Sequence, residues 1–156
     1  MTGMYVINKW DYRFLELAEH VGSWSKDPST KVGAVIVRGD RTIASVGFNG
    51  FPRGVDDTPE RYADRPTKYM MTVHAELNAI LSAKEPMTQK HVLYVSPLHP
   101  CANCAAAIIQ SGIKTVVFPI VMHRPDWEDH FKIARQMFLE AGITTVIVEP
   151  TGRLRE

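Results

Sequence analysis

Between residues 73 and 149 the chain alternates helical and strand spacing of its apolar residues, and this restricts the possible folds more than any other feature. Helical spacing over 73 to 84 gives way to HVLYVS at 91 to 96, and a helix over 101 to 111 gives way to KTVVFP at 114 to 119. A third helix over 127 to 141 leads into TTVIVE at 144 to 149. Strands separated by helices need crossover connections, so these three should lie parallel in one sheet. Earlier in the chain, KVGAVIVR (31 to 38) and TIASVGFN (42 to 49) flank the turn residues Gly39 and Asp40 and read as a hairpin. Its first strand is apolar on both faces and should be central. Residues 9 to 22 place Phe14, Leu17, Ala18 and Val21 at helical spacing and end at Gly22. The expected architecture is α/β, a three-layer α/β/α sandwich on a mixed sheet of about five strands. FPRGVDDTPERYADRPTK, 51 to 68, is rich in Pro, Gly and charge and reads as a long irregular segment, which in a compact domain is usually functional.

A length of 156 residues suits one well-cored domain over 1 to 156 and is short for two. No repeat or low-complexity tract divides it. No run reaches the roughly 18 apolar residues of a membrane span, and MTGMYVINKWDYRF lacks the layout of a secretory signal, so a cytoplasmic location is expected. The net charge of +1, from 18 basic and 17 acidic residues, provides no broad field for a long nucleic acid. It leaves room for a local phosphate pocket.

The chemistry concentrates at two helix starts. VHAELNAI (73 to 80) puts His74 and Glu76 at the head of one apolar helix, and HPCANCAAAI (99 to 108) puts Cys101 and Cys104, the only two cysteines, at the head of the next. In a parallel β–α–β arrangement helix starts lie near the carboxyl ends of the strands. The chain between them runs out along a helix of roughly 16 Å and returns along a strand of roughly 20 Å, so the three side chains can meet at one sheet edge. Two helix N-termini there favour thiolate over thiol. One imidazole and two thiolates form a three-ligand zinc set whose fourth position is left to water, with a pKa lowered to about 7. Glu76, pointing about 200° around the helix from His74 if helical geometry already holds there, fits a proton carrier better than a ligand. Taken singly, His74 reads as a core or capping histidine, the cysteine pair as a redox pair, and His99 as a loop residue before the helix, with a rival ligand as its alternative.

His74-Ala75-Glu76 with Pro100-Cys101-Ala102-Asn103-Cys104 matches the H-x-E … P-C-x-x-C signature of zinc-dependent nucleobase deaminases. SKDPSTKVGAVIV, GFNGFPRGVDD, HAELNAI and CANCAAAIIQSGI resemble, in order, successive blocks of the deoxycytidylate (dCMP) deaminase family across most of residues 23 to 118. The resemblance implies a cytidine-deaminase-like fold and zinc-dependent hydrolysis of dCMP to dUMP and ammonia. On it, His74, Cys101 and Cys104 hold Zn2+ while Glu76 carries protons to N3 and to the departing amine. It places Asn49 against the sugar, although an Asn-Gly pair is also an ordinary turn. Ser25 and Lys26 are its candidates near the phosphate, and Arg124 is a further one. It also implies a homo-oligomer, often a hexamer, activated by dCTP and inhibited by dTTP, with the loop after GFNG contributing to regulation. Some relatives bind a second, structural zinc through a cysteine in that loop; here position 55 is valine, and no second zinc is expected. Arg53, Arg61, Arg65 and Lys68 read either as a solvated face or as part of a regulatory site. Rival functions are a deaminase of another cytosine nucleotide, nucleoside or tRNA adenosine, and a zinc-stabilised binding module without turnover.

Overall fold

The computed structural model describes residues 4–120 and 124–149, so the expected domain limits at residues 1 and 156 fall outside the described part. Helix α1 (Lys9–Gly22) starts where sequence and chemistry agree. The Asn8 side chain accepts from the Trp10 amide at 2.8 Å and Asp11 accepts from the Asn8 amide at 3.0 Å, closing off donors that a helix start leaves unpaired. Strands β1 (Gly33–Val37) and β2 (Ile43–Phe48) form the antiparallel hairpin. Every residue of β1 is buried because β3 (Val92–Ser96) flanks its other side, also antiparallel.

Segment 51 to 68 is not irregular throughout: α2 (Pro59–Ala63) and α3 (Arg65–Met71) occupy much of it. Each has a proline in its first turn, where a missing amide hydrogen costs nothing, and α2 is capped by Thr58. Prolines that break a helix internally therefore start two here. The chain continues through α4 (Ala75–Ser82), β3, α5 (Ala102–Ser111), β4 (Thr115–Pro119), α6 (Glu128–Glu140) and β5 (Thr144–Val148). Gly112, at φ 102°, ends α5 in a left-handed conformation that a side chain would resist.

The sheet order is β2-β1-β3-β4-β5, with β3, β4 and β5 parallel. Strand alternation sorts the core into two layers. Ala34, Ile36, Leu93, Val95, Val116 and Phe118 pack on one side with residues of α4, α5 and α6. Val35, Val37, Tyr94 and Val117 pack on the other against Phe14, Leu15 and Ala18 of α1. The expected three-layer sandwich is present, with a single helix forming one outer layer. None of the described helices is long and apolar enough to cross a membrane.

Candidate active site

Residues His74 and Cys101 stand immediately before α4 and α5, in extended backbone conformation, and neither side chain caps its own helix. Their backbone carbonyls still accept the first helical hydrogen bonds, from Asn78 and Ala105. Both side chains are thereby free to turn toward each other. The sulfurs of Cys101 and Cys104 each lie 3.4 Å from Nδ1 of His74, and the three donor atoms fall within 4.8 Å of one another. Zinc in tetrahedral coordination, with bonds of about 2.0–2.1 Å to nitrogen and 2.3 Å to sulfur, separates those two atoms by about 3.5 Å. The donor set fits that ion in both element and spacing.

Glu76 does not complete this set. Because His74 is extended rather than helical, the 200° helical separation does not apply to the pair. Glu76 occupies the first turn of α4, is almost wholly buried, and hydrogen-bonds Cys104. Burial raises its carboxyl to about 7, against the opposing pull of His74. A hydrogen bond from Cys104 lowers the Cys101 thiol to about 4, and the same bond, with burial, raises Cys104. His74 is raised, chiefly by its hydrogen bond to Cys101. His99 is no ligand of this cluster: its Nδ1 donates to the Pro100 carbonyl at 2.6 Å, and its ring packs on Phe118 and Phe131.

These groups open into a cavity of about 570 Å³. From His74, Glu76 and Cys101 it extends past Asn49 to Lys26, Arg65 and Arg124. Lys26 is paired with Asp57 at 2.8 Å and Arg124 lies 3.6 Å from Asp126. Ser25 is not in the cavity wall; buried, its hydroxyl donates to the Asn49 carbonyl at 2.7 Å and accepts from the Asp27 amide. Asn49 does face the cavity, with its amide already engaged: Oδ1 accepts from the Val32 amide, and Nδ2 donates to the Thr30 carbonyl and, at 3.4 Å, to Asp27.

Two features of the wall escaped the sequence reading. Lys68, expected from the sequence to belong either to a solvated face or to a regulatory site, is buried and ion-paired with Asp27 at 2.9 Å. Its place on α3 could have been suspected only by seeing a helix in 65 to 71. Trp127 lies edge-on to the His74 ring, with centroids 6.2 Å apart, and Tyr69 packs edge-on to Trp127 in turn. No local pattern announces a contact between residues 53 positions apart.

Residues 8–120 match the family model for the cytidine and deoxycytidylate deaminase zinc-binding region. The chain belongs to that family. It is 46% identical over 140 residues to a protein described as an uncharacterized deaminase in the luxG 3′ region of Aliivibrio fischeri, covering 88% of this chain and 92% of that one. Against human deoxycytidylate deaminase the identity is 38% over 143 residues, or 87% of this chain and 78% of the human protein. The fold of this family member is shared with the crystal structure of a dCMP deaminase from the cyanophage S-TIM5 in complex with dCMP and dUMP. That match has a TM-score of 0.70 at 21% identity and covers 92% of this chain and 100% of that one.

Proposed function

We propose that the protein hydrolyses dCMP to dUMP and ammonia as a single deaminase domain, with one zinc ion held by Nδ1 of His74 and the sulfurs of Cys101 and Cys104. The observation carrying this reading is the convergence of those three donors beside a buried carboxyl, Glu76, with His74, Cys101 and Glu76 lining one cavity. Identity of 38% to human deoxycytidylate deaminase supports dCMP as the substrate. Bound there, zinc would act as a Lewis acid and lower the pKa of water in its fourth position to about 7.

The remaining work falls to the chain. At C4 a carbon–oxygen bond forms to water and the carbon–nitrogen bond to the amino group breaks. Glu76 moves both water protons, one to N3 of the ring, where it stays in the uracil product, and one to the departing nitrogen. A carboxyl poised near neutrality can both accept and release a proton at working pH. Trp127 and Tyr69 supply an apolar wall at the metal end for the pyrimidine. Lys26, Arg65 and Arg124 line the cavity and bring positive charge for the 5′-phosphate, Lys26 and Arg124 each beside an aspartate and Arg65 without an ion-pair partner among the described residues, while Asn49 stands on the sugar side. A near-neutral net charge disfavours tRNA as the alternative substrate.

A spectrophotometric comparison of dCMP, deoxycytidine, dCTP and cytosine tests the reading; equal turnover of deoxycytidine and dCMP would remove the phosphate from it. The same proposal includes a cytoplasmic location, hexameric assembly and control by dCTP and dTTP. Sedimentation of the purified protein tests the assembly. Identical dCMP saturation curves with and without dCTP would remove that effector.

A further inference from the structure

Lysine is among the residues least often fully buried, since an ammonium leaves water only at a large cost. Lys68 is 8% exposed and lines the cavity. Its ammonium carries three hydrogens. Among the described residues it has a single hydrogen-bond acceptor, Oδ1 of Asp27. That oxygen already takes the amides of Ser29 and Thr30, so Asp27 is anchored to its own loop and cannot follow Lys68 elsewhere. Two strong donors are thus left at the cavity wall.

The chemistry of the pair limits what they can hold. Lys68 and Asp27 together are neutral, so they offer a directed hydrogen bond rather than net charge for a dianion. Free positive charge sits elsewhere in the wall, on Arg65, which has no ion-pair partner among the described residues. The other oxygen of Asp27 accepts from Nδ2 of Asn49 at 3.4 Å, so one carboxylate holds both the amide nitrogen and the ammonium. With both hydrogens of Nδ2 directed at protein acceptors, Asn49 can offer a ligand only the second lone pair of Oδ1. An amide oxygen that accepts and an ammonium that donates, both in the wall of one cavity, can be met together by a hydroxyl, and the 3′-hydroxyl is the one neutral group of dCMP that does both at a single oxygen.

We infer that Lys68, held by Asp27, is a specificity-determining residue that donates to the 3′-hydroxyl of the deoxyribose, with Asn49 Oδ1 accepting that hydroxyl's hydrogen. This rests on dCMP being the substrate. Asp27 is a positioning residue for both partners, and α3 brings the donor to the wall.

Kinetics of the zinc-loaded protein with dCMP and with 2′,3′-dideoxycytidine 5′-monophosphate, which lacks only that hydroxyl, test it. Wild-type protein should prefer dCMP by about tenfold or more in kcat/KM, the range of a hydrogen bond to a charged group. In Lys68→Met the preference should collapse toward unity, with dCMP losing far more than the dideoxy substrate. Because Lys68→Met leaves Asp27 buried without its partner, Asp27→Asn/Lys68→Met serves as the second variant and should show the same collapse. Equal losses on both substrates in either variant, or no preference in the wild type, would overturn the role of Lys68. Failure of wild-type protein to deaminate dCMP at all would instead refute the functional reading on which it rests.

Discussion

At the scale of single residues, environment decides chemistry. Glu76 is a carboxyl whose burial raises it toward neutrality, whereas Asp27, buried nearby in the same wall, moves the opposite way. Burial alone would raise Asp27 too, but hydrogen bonds from Lys68 and from the Ser29 and Thr30 amides outweigh it. Replacing Glu76 by Gln should preserve zinc content and lower kcat by about 10²-fold to 10⁴-fold, the usual contribution of a positioned proton carrier. Metal analysis beside a rate assay checks both halves, and an active, zinc-loaded variant would discard the proton shuttle. Asp27 gives a pH signature. With its folded pKa below the ordinary 3.8, its contribution to stability is present above that value and lost as pH falls through the folded value. Chemical denaturation at a series of acid pH values should show Asp27→Asn losing less stability than wild type in that window.

Among elements, the close approach of α4 to the hairpin matters most. Gly47 of β2 lies under α4: a Cβ there would come within 2.5 Å of the Ala75 carbonyl and the Ala79 amide. Backbone cannot yield as a flexible side chain can, so Gly47→Ala must push away the helix that carries His74 and Glu76. Overpacking of this kind typically costs about 1–3 kcal/mol. Denaturant midpoints should fall accordingly, and zinc affinity should fall with them, because His74 would be displaced from the two sulfurs. A variant with wild-type stability and metal affinity would show that this contact is slack. By contrast, α2 and α3 have few core residues of their own, Tyr62 and Lys68 being the buried ones. They serve the cavity more than the core.

For the molecule as a whole, metal and fold should be coupled, since the three donors come from two helix starts, with Cys101 and Cys104 lying 27 and 30 positions after His74. A ligand present at about 1,000 times its dissociation constant stabilises the folded state by about 4 kcal/mol. Chelation should therefore lower the melting temperature and abolish turnover together, and Cys101→Ala should be purified with little zinc and melt earlier. Unchanged zinc in that variant would contradict the ligand assignment. The alternation of spacing was enough to order strands and helices, because periods of 2 and 3.6 are local properties of a chain that must bury one face. The donor set was legible for a related reason: crossover topology brings successive helix starts to one sheet edge whatever the side chains are. The helices in 59 to 71, the burial of Lys68 beside Asp27, the withdrawal of Ser25 from the cavity and the Trp127 contact with His74 were not legible. Those depend on which distant segment packs against which, and the cost of burying a charge or leaving an amide unpaired is settled only when the partner arrives.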